Sequence, residues 1–173
     1  TLLDARGNVQ TFQNIIAPEY VSVDGNIEDI EPSLKKDNNF YAFNTAITTP
    51  KSTRNVVFKF NKTSNEKNAK LYLTAKNSVW LDYIFGKFNE QFGAYYNTFQ
   101  KKQQKIEGDS IRNWLRTQNI PLSVYIKKEK DWELIEKIST VGPMAMRDMV
   151  VPFSLDGVND DHVEIKLETG FMF

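Results

Sequence analysis

The sequence predicts a mostly β protein, a single antiparallel β-sandwich domain over residues 1–173 with a two-helix segment inserted at about 80–118. Three observations lead to this fold class. Apolar and polar residues alternate in several short segments, which is the period of a half-buried strand. In the central segment alone the period changes to about three and a half, which indicates helix. The links between predicted strands are too short for the helical crossovers that parallel strands require.

The composition is that of an ordinary globular domain and excludes several classes of function. Hydrophobic residues make up 40% of the chain and charged residues 25%, and no apolar run approaches the ~18 residues of a membrane span. Basic and acidic residues balance at 22 each, so no overall field favours nucleic acid. Cysteine is absent, which excludes disulfides, thiolate metal sites and a cysteine nucleophile.

The first 39 residues predict an irregular segment with short strands. Turn-forming residues recur along it, and the stretches "QTFQNII" (10–16) and "YVSV" (20–23) are typical of strands. The chain starts without Met and stops at "LETGFMF", in the middle of an apparent strand. We therefore expect it to be incomplete at one or both ends.

Strand signals strengthen after residue 40, in "FYAFNTAITT" (40–49), "NVVFKF" (55–60) and "AKLYLTAKN" (69–77). In the third segment Leu71 and Leu73 fall on one face and Tyr72 on the other. The polar stretch "NKTSNEKN" predicts an exposed turn that joins the second and third strands.

The segment "NSVWLDYIFGKFNEQFGAYYNTFQKKQQ" (77–104) holds about a third of the chain's aromatic residues. Its large apolar residues are spaced as one face of an α-helix. The aromatic members of this stripe are Phe85, Phe88, Phe92, Tyr95, Tyr96 and Phe99. We expect the stripe to be core, packed against the sandwich or the second helix through Gly86 and Gly93, because so long an apolar stripe would be costly to leave in water. The alternative is a partner-binding groove, which an exposed apolar patch would reveal. The basic run "KKQQK" (101–105) is interpreted as a solvated helix end.

The rest of the chain predicts a second helix followed by strands. "EGDSIRNWLRTQN" (107–119) carries a capping residue at Asp109 or Ser110. "LSVYIKK", the turn "EKD" and "WELIEKI" predict a hairpin over 122–138. "VVPFSL", the turn "DGVNDD" and the alternating strand "HVEIKLE" complete the pattern.

The order of "VVFKF", "AKLYLTAKNSVWLDY", the helical insert, "IPLSVYI", "WELIEKI", "VGPMAMRDMVVPFSL" and "VEIKLETGFMF" resembles a galactose-binding-like β-sandwich of the jelly-roll type. It is similar to accessory modules of secreted and surface proteins of Gram-negative bacteria, over roughly residues 40–173. The resemblance implies an exported protein that is periplasmic, outer-membrane-associated or extracellular. It also implies end loops that bind glycans, proteins or lipid headgroups, a structural Ca²⁺ in many members, and a strand beyond residue 173. No loop here matches a ligand-binding motif of that family.

The turn "DGVNDD" is the best candidate for a metal site. Ca²⁺ prefers hard oxygen ligands, and in this turn they would come from Asp156, Asn159, Asp160 and Asp161. A polar hairpin turn uses the same residues, so both interpretations stay open. A second and weaker candidate is "DGNIEDIE", which contains Asp24, Asn26 and Asp29. We expect no other cofactor.

No catalytic set stands out in the sequence. His162 is the only histidine; Asp161 lies beside it and Ser154 or Ser139 would complete a triad, but no G-x-S-x-G elbow presents a serine. Glycine-rich phosphate-binding loops are also missing. We therefore predict a chain that is not an enzyme, with a hydrolase of unknown substrate as the second alternative.

The sequence favours a non-catalytic structural or protein-interaction module of an exported or cell-surface bacterial protein, whose partner is a protein of a cell-envelope assembly. The first alternative is a carbohydrate-binding module, which Ca²⁺ would stabilise. It rests on Tyr72, Tyr125 and Trp132, which lie on predicted strands where either sheet packing or an open sugar-stacking face explains them. Nucleic acid is not an expected partner, because lysines and arginines do not interleave with these aromatics.

Overall fold

The computed structural model describes residues 2–4, 6–29, 34, 53–62, 66–76, 79–106, 108–117, 119, 121–138 and 146–169. At residues 80, 81, 84, 85, 111, 112, 114 and 115 only the backbone is described. The predicted strand at 40–49, Ser139 and the side chain of Phe85 therefore lie outside the description. Within the described ranges the protein is mostly β, and its sheets are antiparallel.

Four short strands come first: β1 (Leu2–Leu3), β2 (Val9–Gln10), β3 (Tyr20–Val23) and β4 (Asn26–Ile27). Two longer strands follow, β5 (Arg54–Asn61) and β6 (Asn68–Ala75). The helical part consists of α1 (Val79–Glu90), a 3₁₀ turn (Gly93–Tyr95), α2 (Tyr96–Gln103) and α3 (Gly108–Thr117). The chain then forms β7 (Leu122–Lys128), β8 (Asp131–Ile138), β9 (Arg147–Ser154) and β10 (His162–Thr169).

The larger sheet has six strands in the order β4-β3-β5-β10-β7-β8. Strand β10 lies at its centre, where Ile165 is opposite Phe58 of β5 on one side and Ile126 of β7 on the other. A second sheet pairs β6 with β9, and β1 pairs with β2 in a small hairpin. This hairpin lies beside β9, because Asp4 forms an isolated parallel bridge with Val150.

The main core lies between the six-stranded sheet and the β6–β9 pair. From the larger sheet it contains Val124, Ile126 and Ile165, each at most 1% exposed. From the smaller sheet the buried Val151 and the partly buried Leu71 pack against them. Two antiparallel sheets thus share one apolar interior, which is consistent with the predicted β-sandwich.

Several predicted strands are confirmed, and one is wrong. The hairpin of β7 and β8 forms as expected, and its turn includes Glu129 at a φ of 52°. The strand at residues 20–23 is also present. Residues 11–18 form no strand, so the prediction for 10–16 was wrong beyond Gln10. Ile15 and Ile16 there are 76% and 51% exposed, and without burial their β-branched side chains gain nothing from a pleated surface.

The turn between β5 and β6 joins two sheets rather than two paired strands. Strand β5 pairs with β3 and β10, whereas β6 pairs only with β9 among the described strands. The alternation in β6 was predicted correctly, because Leu71 and Leu73 face the core. Its polar neighbour Lys70 instead donates a hydrogen bond from Nζ to the carbonyl of Thr11, 2.9 Å away.

The long first helix predicted from the aromatic spacing is broken. Helix α1 ends at Glu90, and Gly93 has a φ of +46°, a left-handed conformation that glycine adopts without a Cβ penalty. The chain then turns through the 3₁₀ segment into α2. The expected close packing at the two glycines is not found within the described part of the chain, because a Cβ built on Gly86 or Gly93 would meet none of its atoms within 4 Å.

Ile165 provides a direct test of the shared core. Replacing it with Ala should lower the free energy of unfolding by about 2 to 5 kcal/mol, because a cavity would remain between β5, β7 and the smaller sheet. Urea denaturation measures this change. The matched control is Leu134→Ala, at a side chain 45% exposed, which should cost no more than about 1 kcal/mol. Equal losses at the two positions would contradict the assignment of the core.

The hairpin of β1 and β2 is closed by Asp4, which predicts a pH dependence. Its carboxylate accepts hydrogen bonds from the backbone and side chain of Asn8, the backbone of Arg6 and the side chain of Gln10. These bonds, those from Asn8 first, lower the pKa of Asp4. The charged form is therefore the one that the folded hairpin stabilises.

A lowered folded-state pKa adds stability above the unfolded pKa, about 3.9 for aspartate, and that stability is lost as pH falls through the folded value. Wild type should therefore be more stable than Asp4→Asn at neutral pH, and the difference should shrink below about pH 4. Thermal melts of both proteins across this range measure it. A difference that is the same at all pH values would contradict the role of the charge.

Candidate functional site

Three rings of the aromatic stripe, those of Phe88, Phe92 and Phe99, form a cluster at the corner between α1 and α2. The ring of Phe92 stacks on that of Phe99 with centroids 4.0 Å apart and an interplanar angle of 20°. Phe88 meets both rings edge-on, at 5.1 Å from Phe92 and 6.2 Å from Phe99. The turn at Gly93 brings these rings together, because it folds α2 back towards the end of α1.

The cluster is not part of the buried core. Phe88 is 47% exposed and Tyr95 is 46% exposed, while Phe92, Tyr96 and Phe99 are half-buried. Among the described residues, the extensive contacts between elements join strands to strands, and α2 makes such contacts only with the adjoining 3₁₀ turn. We call Phe88, Phe92, Tyr95 and Phe99 the aromatic corner. The rings of Phe88, Phe92 and Phe99 contact one another.

Lysines border the aromatic corner. The ammonium of Lys102 lies 5.3 Å from the ring centroid of Tyr95 and donates a hydrogen bond to its hydroxyl at 2.5 Å. On α1, Lys87 lies 5.8 Å from the ring of Tyr83 and forms an ion pair of 2.7 Å with Glu90. The surface is therefore aromatic and cationic together, which allows cation–π contact as well as apolar contact.

A second aromatic group lies on the outward face of the six-stranded sheet, and the protein's own lysine occupies it. The ammonium of Lys166 on β10 is 4.3 Å from the ring of Tyr125 and 5.1 Å from that of Trp132. Its side chain is 16% exposed and forms an ion pair of 3.4 Å with Glu168. Lys166 is on β10 and Trp132 on β8, with β7 between these two strands. The contact between Lys166 and Trp132 was therefore not predictable without the strand order and register.

Tyr125 is also perturbed by this environment. Burial, and then the nearby charge of Glu168, raise the pKa of its phenol. The Tyr125 hydroxyl donates a 3.4 Å hydrogen bond to a carboxylate oxygen of Glu168. The third predicted aromatic, Tyr72, packs edge-on against Phe12 at 5.9 Å. The three aromatics of the predicted sugar platform are thus divided between the two sheets and already have protein partners.

The candidate calcium loop has the architecture of a tight turn. Val158 is buried at its centre, and its carbonyl accepts a 2.6 Å hydrogen bond from the ammonium of Lys62. The backbone N–H of Asp156 donates to Ser154 Oγ at 3.0 Å, and Gly157 has a φ of +82°. The four proposed ligands, Asp156, Asn159, Asp160 and Asp161, are exposed. In the described part of the chain no three Asp, Glu, His or Cys residues are grouped to hold a metal, and Ca²⁺ binding here stays a prediction.

The weaker metal candidate uses its first ligand to join two strands. Asp24 has a φ of 49°, and its carboxylate forms a 2.7 Å ion pair with Arg54 and accepts a hydrogen bond from the backbone N–H of Asn55 at 2.9 Å. Asn26 belongs to β4. Asp24, which the sequence suggested as a metal ligand, therefore links the β3–β4 turn to the start of β5.

His162 and Ser154 do not share a described hydrogen bond. His162 Nε2 lies 4.0 Å from Oε2 of Glu19, and the other carboxylate oxygen of Glu19, Oε1, accepts a hydrogen bond from the side-chain amide of Asn61. Ser154 Oγ instead accepts the Asp156 bond and contacts the carbonyl of Lys67 at 3.5 Å. These contacts connect loop residues to residues at the ends of strands.

Comparisons with models of known families, with curated proteins and with solved structures found no match. The galactose-binding-like resemblance therefore stays a hypothesis. In the part of the chain that the structure describes, no helix has both the length and the apolar character needed to cross a bilayer.

The group around Tyr125 gives a prediction about titration. Glu168→Gln should lower the pKa of Tyr125 towards the usual value of 10.0, because the variant has no negative charge at residue 168 to disfavour the phenolate. Carbon-13 NMR of ring-labelled tyrosine across an alkaline titration measures the shift. Tyr83 on α1 is the internal reference, because it lies on another element. An unchanged Tyr125 pKa in the variant would contradict the electrostatic contact.

Proposed function

We propose that the chain is a non-catalytic interaction module of an exported or cell-surface bacterial protein, one that attaches its parent protein to another component of the cell envelope. The jelly-roll, galactose-binding-like form of the sandwich is part of this proposal. It rests on one observation, the exposure of the aromatic corner on a helical segment outside the buried core.

The exposure supports an interaction role because aromatic side chains gain more than most from leaving water. Burying one fully contributes about 1.5 to 3 kcal/mol, and Phe88 and Tyr95 each leave nearly half of their surface exposed. Clustered apolar exposure of this kind marks interaction sites on folded proteins. The stacked pair Phe92–Phe99 holds the corner in shape, so little side-chain entropy remains to be lost on binding.

The use of the ionisable groups supports a role without catalysis. Asp4 closes a hairpin, Asp24 joins β3 to β5 through Arg54, and His162 lies beside Glu19 at a strand end. Each of these side chains has a local structural contact that accounts for its position. A hydrolase would instead need a nucleophile or acid held against a base in a cleft.

The carbohydrate-binding alternative receives less support. Tyr125 and Trp132 lie together on the outward face of the larger sheet, and Lys166 already lies against both rings. A sugar would have to displace an ammonium that is also paired with Glu168. Loop-bound Ca²⁺ would be compatible with either role.

Attachment through the aromatic corner is tested by Phe88→Ser/Tyr95→Ser. Tagged wild-type protein, produced in the native host, should be recovered with the envelope fraction. The double variant should lose about tenfold or more of that recovery, because two large side chains no longer leave water on binding. Quantitative immunoblots of fractionated cells measure the ratio.

The matched control is Ile15→Ser/Ile27→Ser, which removes two apolar side chains that are 76% and 73% exposed elsewhere on the surface. It should keep wild-type recovery, and circular dichroism melts should show both variants folded. Wild-type protein confined to the cytosol, or equal losses in the two double variants, would contradict the proposal.

A further inference from the structure

The charge of the helical segment is distributed very differently from that of the whole chain. The chain has 22 basic and 22 acidic residues, yet residues 91–106 contain three lysines and no acidic residue. These lysines are Lys101, Lys102 and Lys105, all exposed. A neutral protein therefore carries a local excess of positive charge over residues 91–106, between Glu90 and Glu107 and close in sequence to the exposed Phe88 and Tyr95.

The backbone keeps one of these charges, that of Lys102, next to a ring of the aromatic corner. Tyr95, Phe99 and Lys102 follow one another at intervals of four and three residues, so they share one face of the 3₁₀ turn and α2. After α2 ends, the backbone N–H of Lys105 still donates to the carbonyl of Lys102 at 3.1 Å. Ile106, 43% exposed, follows directly and adds apolar surface to the cationic end.

We infer that the aromatic corner and its three lysines bind the surface of an anionic lipid bilayer. This inference rests on the proposed interaction role and names the envelope component. Phe88 and Tyr95 would enter the boundary between headgroups and acyl chains, while Lys101, Lys102 and Lys105 would lie at the level of the lipid phosphates. The surface belongs to the helical segment, not to the loops at an end of the sheets.

Two features favour a lipid surface over a protein or a nucleic acid. A bilayer boundary accepts Phe and Tyr rings without a shaped pocket, and Lys extends its charge to the phosphates from a long apolar stem. Nucleic acid would instead need free ring faces on which bases can stack. Phe92 and Phe99 stack on each other at 4.0 Å, and the face of Tyr95 has Lys102 close to it.

The test measures binding of the purified full chain to vesicles of phosphatidylglycerol mixed with phosphatidylcholine. Wild type should co-sediment with these vesicles and not with phosphatidylcholine alone, and added salt should weaken binding. Lys101→Gln/Lys105→Gln should reduce the partition coefficient about 25-fold, roughly fivefold for each lysine. The matched control Lys67→Gln/Lys130→Gln removes the same charge from exposed sites elsewhere and should bind as wild type.

A second readout reports insertion and not charge alone. The chain has no cysteine, so Ala94→Cys gives a single site for an environment-sensitive fluorophore beside Tyr95. Its emission should shift to the blue on the mixed vesicles, whereas the same label at Lys130→Cys in the β7–β8 turn should not respond. Binding without a shift at residue 94, or equally strong binding to soluble polyglutamate, would overturn the inference in favour of an acidic protein surface.

Failure of this inference is distinguishable from failure of the proposed function. Suppose that folded wild type does not bind anionic vesicles, but that its recovery with the envelope fraction still requires Phe88 and Tyr95. This result would overturn the lipid assignment alone. The interaction role would then stand with a protein as partner. Loss of vesicle binding in the Lys101/Lys105 variant, with binding kept in the Lys67/Lys130 variant, would support the inference.

Discussion

The rest of the structure depends on the packing of strand β10 between β5 and β7. Ile165 on this strand is almost fully buried in the main core, and Leu167 packs against both that core and the smaller cluster formed by Val21, Val23 and Val56. The two apolar clusters are therefore connected through one strand. Its outward face is polar, with Glu164, Lys166 and Glu168 in ion pairs, so β10 also organises the charges of the sheet surface.

This arrangement separates the buried core from the aromatic corner. The buried residues are mostly valine, leucine and isoleucine of the strands, whereas the phenylalanines and tyrosines of the helical segment are partly exposed wherever their side chains are described. A surface that does not hold the sheets together is free to serve a partner, because changing it carries a small cost in folding free energy. The aromatic corner is such a surface.

Features set by residues close together in the sequence were predictable, and features set by residues far apart in the sequence were not. The β7–β8 hairpin and the inward face of β6 were predictable because they follow from a turn and a period of two. The pairing of β5 with β3 and β10 was not, because a polar link such as 62–67 is equally suited to a hairpin or a passage between sheets. The break at Gly93 was missed for a related reason: the spacing of apolar residues continues across it, and only the positive φ shows the change of direction.

The same distinction applies to the candidate site residues. The spacing of the aromatic residues predicted core, with a partner-binding groove as the alternative, whereas Phe88 and Tyr95 are nearly half exposed. The run "KKQQK" has exposed lysines at the end of α2, as predicted, and Lys102 also contacts Tyr95. Lys166 carried no local signal at all, since its ring partners come from β7 and from β8 one strand further away. Acidic loops were ambiguous in the sequence, since a carboxylate such as that of Asp24 suits an arginine and a backbone N–H as well as a metal ion.

The lysine between Tyr125 and Trp132 has a consequence for how the molecule behaves among its neighbours. A pair of open rings on a flat sheet would adhere to many surfaces, including other copies of the same chain. The ammonium of Lys166 lies against both rings, so this sheet face offers less open aromatic surface to other molecules. In the proposed interaction role, contact with a partner would therefore be made by the aromatic corner and not by this sheet face.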